Sequence, residues 1–205
     1  MSDARARQLR TALGLGYFTV VYNVVEGAVA VAAGAAAGSG ALVGFGLDSA
    51  VESLSALVLI WRLRVEQSDP NRAEHVEQRA VRLIGVTFFL LAAYVGYEAI
   101  TSLIERAEPD SSIVGILLTS LSLVVMPVLA RRKRVVGTEM ASRAVLADAA
   151  ETRACVYLSA VVLVGLTLNA LFGWWWADPI AALGVVYFLV REGLEAFEGE
   201  DDDSD

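Results

Sequence analysis

Two short acidic patterns stand apart in a chain that is otherwise mostly apolar. Asp48 and Glu52 lie four residues apart, and Asp148, Glu151 and Cys155 follow at spacings of three and four. On a helix, each set falls on one face. Carboxylate oxygens bind hard divalent cations, and carboxylates together with a thiolate bind zinc and other transition metals. Two acids held that close repel, and a cation between them removes the penalty. The chemistry these residues can do is cation coordination. A lone cysteine in an apolar helix is also an ordinary packing residue, so Cys155 becomes a candidate ligand only through its acidic neighbours.

The elements that carry these residues are membrane helices. Of 205 residues, 56% are hydrophobic, with a mean hydropathy of +0.57. The apolar residues come in blocks. Ser111 to Ala130 has no charge over 20 residues, and Val156 to Ala177 has none over 22. About 20 apolar residues at 1.5 Å each span the hydrocarbon layer. Six spans are expected: Thr11 to Ala33, Ala41 to Arg62, Leu83 to Ile104, Ser112 to Ala130, Met140 to Phe172, and Ile180 to Phe197. Gly34 to Gly40 makes a small-residue turn, Asp69-Pro70-Asn71 a turn in the polar loop between Arg64 and Arg82, and Trp174, Trp175 and Trp176 an interfacial belt. The fold expected is an all-α integral membrane bundle of six helices. The expected division is a cytoplasmic N-terminus at residues 1–10, a six-helix transmembrane domain at 11–197 and a solvated acidic tail at 198–205. The Arg5, Arg7 and Arg10 segment does not open a cleaved signal peptide, because the apolar stretch after it is too long and contains Glu26.

Charge sets orientation. Basic residues gather before the first helix, after the second (Arg62, Arg64, Arg72, Arg79, Arg82) and after the fourth (Arg131, Arg132, Lys133, Arg134, Arg143). The alternate loops carry only Arg106. The positive-inside rule then places both termini in the cytoplasm. The net charge of −8 comes largely from six acids among the last eight residues. Without a basic patch interleaved with aromatics, nucleic acid is not an expected partner. One cysteine excludes an internal disulfide.

Depth brings the two acidic patterns together. Measured from Arg62, Glu52 lies about 15 Å and Asp48 about 21 Å up the second helix. Measured from Arg143, Glu151 lies about 12 Å and Cys155 about 18 Å up the antiparallel fifth helix. Asp48, Glu52, Glu151 and Cys155 could thus form one near-tetrahedral site close to the midplane. The competing reading pairs these acids with intramembrane arginine, but Arg153 lies about 200° around the helix from Glu151. Asn23, Glu26, Asp148 and Glu98 are candidate accessory or proton-linked groups. Asn23 and Glu26 equally suit interhelical hydrogen bonding, and Glu98 suits bonding to Tyr94 or Tyr97. His75 reads as a solvated loop residue. Gly27, Gly34, Gly38, Gly40, Gly44 and Gly46 allow close helix approach.

These residues resemble a known family. Asn23, Gly38-Ser39-Gly40-Ala41-Leu42 and Asp48-Ser49-Ala50-Val51-Glu52-Ser53 are similar to the first two helices of the cation diffusion facilitators. Ala147 to Cys155 is similar to that family's fifth-helix motif, and Asp178-Pro179 to the start of its sixth helix. The resemblance covers residues 11 to 195. It implies a homodimeric exporter of zinc, iron, manganese or cobalt, driven by proton exchange, with the metal held by Asp48, Glu52, Glu151 and Cys155. The chain departs from the family where Glu151 replaces the usual histidine, Cys155 replaces the usual aspartate, and only His75 stands near the place of a His-Pro-Tyr-Gly-His loop. The residues after helix six are too few for the usual cytoplasmic metal-binding domain, so dimerisation is expected through the membrane helices.

The function expected is therefore secondary transport of a divalent cation, zinc first, from the cytoplasmic membrane of a prokaryote. No prosthetic group is expected. The alternative is a non-transporting metal-binding protein that regulates a partner. An enzyme is not expected, since no HExxH pattern occurs and the single histidine lies in a loop.

Overall fold

The computed structural model describes residues 3–37, 40–69, 72–106 and 113–198. They form six α-helices: α1 (Asp3–Ala37), α2 (Gly40–Ser68), α3 (Ala73–Glu105), α4 (Ile113–Met140), α5 (Arg143–Phe172) and α6 (Ala177–Glu198). Among the described residues, α1 to α4 each contain a segment long and apolar enough to cross a membrane. α5 carries Arg143, Asp148, Glu151 and Arg153 in its first three turns, and α6 is the shortest helix at 22 residues. In lipid every backbone polar group must be bonded within the segment, and helices do this locally. The protein is an all-α membrane protein.

Polarity is reversed relative to a soluble bundle. Val21, Val24, Val25, Leu117, Val124 and Val128 point outward, whereas Thr19, Asn23, Glu26, Asp48, Glu52, Ser122 and Glu151 are buried. On α1 the buried positions Leu9, Ala12, Gly16, Thr19, Asn23, Glu26 and Ala30 recur every three or four residues, which is the period of a helix face turned to its neighbours. Three helix pairs pack most extensively: α1 on α2, α3 on α6, and α4 on α5. α2 also meets α3 and α5, so the helices bearing the acidic patterns face each other.

The helices run beyond the apolar spans. α1 already includes Arg5, Arg7 and Arg10, α2 continues past Arg62 to Ser68, and α3 begins at Ala73, which leaves a short connection where a polar loop over Arg64 to Arg82 was expected. α4 continues to Met140, so Arg131 to Arg134 are helical rather than looped. The reason is that hydropathy marks where lipid ends, not where a helix ends. The charged extensions are stabilised by one another. Arg5 Nε pairs with Glu66 Oε1 at 2.6 Å, and Arg62 pairs with both Glu66 and Glu77. Glu77 Oε1 in turn accepts from Ser142 Oγ at 2.7 Å and from the Ala144 N–H at 2.9 Å. A carboxylate at the first turn of α5 suits the positive end of its dipole.

The α4–α5 connection is only two residues, Ala141 and Ser142. Ala141 adopts φ 49°, and the Ser142 N–H donates to Gly137 O at 3.0 Å, a left-handed helix stop. Ser142 Oγ then accepts from the Val145 N–H at 3.3 Å and caps α5. Gly38, Ser39, Pro70, Asn71 and the acidic tail from Gly199 onward lie outside the described residues, as does the side chain of His75, which sits in the first turn of α3.

Close approach of α1 and α2 depends on glycine. A Cβ built on Gly46 would lie 2.9 Å from Gly27 O and 2.6 Å from Val31 Cγ2. Contacts that short force the helices apart. Gly46→Ala is accordingly expected to destabilise the protein by roughly 1–3 kcal/mol, read as a lower unfolding midpoint of the purified protein. Gly14→Ala, whose added Cβ meets nothing within 4 Å, serves as the control and should not lower it.

Candidate metal site

α2 and α5 carry their acids on the faces they turn to each other. Asp48, Glu52, Glu151 and Cys155 are each at most 2% exposed, and Asp148 is fully buried. The Cys155 thiol hydrogen-bonds the Asp48 carboxylate, joining α5 to α2. Glu151 Oε2 accepts from Thr87 Oγ1 of α3 at 2.7 Å. Among the described residues, the remaining oxygens have no hydrogen-bond partner: Asp48 Oδ2, Glu151 Oε1 and both oxygens of Glu52. Glu52 and Asp48 lie within electrostatic reach of Glu151.

Orphaned carboxylate oxygens in a dry interior are costly, because neither water nor a donor replaces the lost hydration. A cation is the partner that such a set lacks. The donor set of three carboxylates and one sulfur fits a divalent transition metal. In the conformation described, however, the groups stand apart. Among the described residues, no three His, Cys, Asp or Glu side chains converge closely enough to enclose an ion. The structure thus brings Asp48 and Cys155 into contact and leaves Glu52 and Glu151 nearby but unjoined.

The other sequence candidates separate into distinct environments. Asp148, one turn from Glu151, does not face the orphaned oxygens alone. Lys133 Nζ of α4 lies 2.7 Å from its Oδ2 and donates to Thr152 Oγ1 at 2.8 Å, and Ser55 Oγ of α2 donates to Asp148 Oδ1 at 3.2 Å. Asp148 therefore already holds a cation, the tethered ammonium of Lys133. Glu26 is also saturated: Ser122 Oγ and Tyr22 Oη donate to Oε1 at 2.8 and 3.1 Å, and Ser49 Oγ to Oε2 at 3.2 Å. It forms the polar floor of an apolar cleft of about 290 Å³ between α1 and α4, walled by Phe18, Val25, Leu118 and Leu121. Asn23 is buried with neither amide atom bonded. Arg153 turns away from the acids to Glu192 of α6 at 2.6 Å, with its guanidinium 5.3 Å from the Phe188 ring centre. The acids are thus not paired with Arg153.

Lys133 is the residue that sequence reasoning misplaced. Grouped with Arg131, Arg132 and Arg134 it reads as a loop cation, yet it is fully buried on α4. The signal was its phase. Gly115, Thr119, Ser122, Met126, Leu129, Lys133, Val136, Gly137 and Met140 are the buried residues of α4, and the spacing of three and four that runs from Gly115 through Lys133 places Lys133 on the inward face. Its neighbours in the basic run fall on the outward one. Removing one partner of a buried ion pair leaves an uncompensated charge, typically costing about 3–5 kcal/mol. Lys133→Met should therefore lower the unfolding midpoint strongly, and Lys133→Met combined with Asp148→Asn should recover most of the loss. Equal losses in both variants would show that Asp148 is not what Lys133 stabilises.

Comparison with known proteins places this geometry. The Cation efflux transmembrane domain family matches residues 17–198. An uncharacterized transporter of Synechocystis sp. is 30% identical over 200 residues, covering 93% of this chain and 61% of that protein. The magnetosome protein MamB of Magnetospira sp. is 26% identical over 167 residues, covering 79% and 57%. The cation-efflux pump FieF of Citrobacter koseri is 28% identical over 161 residues, covering 74% and 53%. The chain spans less than two thirds of the length of each of these relatives. The matched region takes in all six helices except the first turns of α1, and with them both acidic patterns: the chain belongs to the cation efflux transmembrane domain family.

Proposed function

We propose that this chain is a transport core that moves divalent metal cations across the bilayer, with Asp48, Glu52, Glu151 and Cys155 as the binding groups. The observation that supports it most directly is the set of orphaned carboxylate oxygens on facing helices in a polar interior. A polar interior inside an apolar surface is what a path through lipid requires. The name of the relative FieF, a cation-efflux pump, supports efflux. With the arginine-rich helix ends in the cytoplasm, the cargo enters there and leaves at the opposite end. Residues 11–197 act as the transport unit, in the cytoplasmic membrane of a prokaryote, and two copies associate through their membrane helices. The protein is read as a carrier rather than an enzyme, with the metal as its substrate.

Each binding group contributes a different property. Glu52 supplies two oxygens that bond to nothing else, so it costs the least reorganisation to recruit. Asp48 and Cys155 exchange their mutual hydrogen bond for the cation, and the thiol proton must leave for sulfur to coordinate. Thr87 holds Glu151 in place through one oxygen and leaves the other available. Proton and metal compete for the same lone pairs, so a low pH on the release side displaces the cargo, and this exchange couples efflux to a proton gradient. Zinc is the first candidate, since borderline-soft ions accept both oxygen and sulfur. Iron, manganese and cobalt fit the same oxygens.

The test is flux of zinc, iron(II), manganese and cobalt into proteoliposomes with and without a pH gradient. Asp48→Ala and Glu151→Ala are each expected to lower flux at least tenfold while the protein still elutes as one folded species. Undiminished flux in both variants would sink this site. Cys155→Ser, which removes the soft donor, is expected to shift preference from zinc towards manganese. Binding without flux for every metal would instead favour a regulatory metal-binding protein.

A further inference from the structure

The face of α3 turned to α2 carries a polar track that leads away from the central site. Thr87, Tyr94 and Glu98 stand at spacings of seven and four, which puts them on one side of the helix. Thr87 bonds Glu151 at the site itself. Tyr94 lies within electrostatic reach of Asp48 and hydrogen-bonds Glu98 further along. Glu98 lies about 16 Å beyond Thr87 along α3, in the direction of the arginine-poor helix ends.

α2 is cut away to receive this pair. Gly44 lies one turn from Asp48, about 6 Å further towards the same end. A Cβ built on Gly44 would stand 2.5 Å from Glu98 Oε2 and 2.8 Å from Tyr94 Oη. Carboxylate and phenol therefore rest directly on the α2 backbone, in space that any side chain would fill. Glu98 is partly buried and has no basic partner among the described residues. A carboxylate kept only to tie helices together is better served by a cation, as Lys133 serves Asp148, or by several hydroxyls, as at Glu26. Glu98 has one hydroxyl, and its seat at Gly44 lies one helical turn from Asp48.

We propose that Glu98, with Tyr94 and the bare backbone at Gly44, is a second, transient binding site for the divalent cation, which it receives from Asp48 and passes towards the arginine-poor end. This rests on the transport reading above. The site offers only oxygen donors, so it suits a cation regaining its hydration shell, and it holds the ion more weakly than the central carboxylates do.

The experiment compares equilibrium binding and flux on the full chain, with zinc and manganese as probes. Glu98→Gln is expected to leave calorimetric affinity and stoichiometry of the tightly bound ion within about twofold of the starting protein, and to lower proteoliposome flux at least tenfold. Glu98→Asp should restore part of the flux. Gly44→Ala, which displaces Glu98 and Tyr94, should reproduce the loss. Gly96→Ala, on the same helix as Glu98 and with only ordinary contact to Val186 at 3.7 Å, should not. Unchanged flux in Glu98→Gln overturns the relay and leaves the transport reading standing. Tight binding lost together with flux, in a variant that still melts at the starting temperature, also overturns it, because Glu98 would then belong to the central site. Absence of flux in the starting protein for every metal fails the transport reading, and the relay with it.

Discussion

A carboxylate inside a helix bundle surrounded by lipid has no water to fall back on, and most of this architecture answers that constraint. Three answers coexist within a few helical turns. Asp148 is matched by the ammonium of Lys133, Glu26 is wrapped by three hydroxyls, and Asp48, Glu52 and Glu151 are left with oxygens that nothing among the described residues satisfies. The contrast argues that the vacancies are selective. The fold can supply a resident cation or hydroxyls where it needs them, as Lys133 and Ser55 do for Asp148, and among the described residues it leaves Asp48 Oδ2, Glu151 Oε1 and both Glu52 oxygens without them.

The readable part of the sequence was the part set by periodicity inside apolar blocks. Asp48, Glu52, Glu151 and Cys155 stand out because a charge in an uncharged run has no surface explanation. Both the number of helices and the family followed from the same runs. What stayed hidden depends on which side of a helix a charge takes. Lys133 lies among arginines in sequence but on the opposite face from them in space, so composition misfiled it. Helix ends were misjudged for a related reason: Arg5, Arg62, Glu66 and Glu77 continue the helices outside the apolar spans because they satisfy each other across helices. Glu98 was legible as a buried acid near tyrosines. The missing Cβ of Gly44 that makes its seat was not, because a glycine beside other glycines reads first as packing.

The packing also says where movement can occur. The strongest helix contacts tie α1 to α2, α3 to α6 and α4 to α5, and contacts between these pairs are thinner. The candidate ligands are divided among the pairs. Asp48 and Glu52 belong to the first, Glu98 to the second, and Glu151 and Cys155 to the third. A site built at the seam of three units changes its geometry whenever the units shift, while each unit keeps its own core. That is consistent with ligands that are close yet not converged in the conformation described.

The two ends of the seam differ in kind. At the arginine-rich end, a continuous polar chain crosses all three pairs: Arg5 bonds Glu66 and the Met140 carbonyl, Arg62 bonds Glu66 and Glu77, and Glu77 bonds Ser142 and the Ala144 N–H. At the opposite end, α1, α2 and α4 meet through Ala30, Leu42, Phe45 and Leu118, an apolar contact without direction. Ion pairs and hydrogen bonds hold only in a narrow geometry, whereas apolar surfaces slide at small cost. In the proposed transport, an ion passing the arginine-rich end would part several directional bonds at once, whereas the apolar contact of α1, α2 and α4 at the other end offers none. In that reading the resistance to opening is unequal on the two sides of the acids, and the ion pairs of Arg5, Arg62, Glu66 and Glu77 set the inequality.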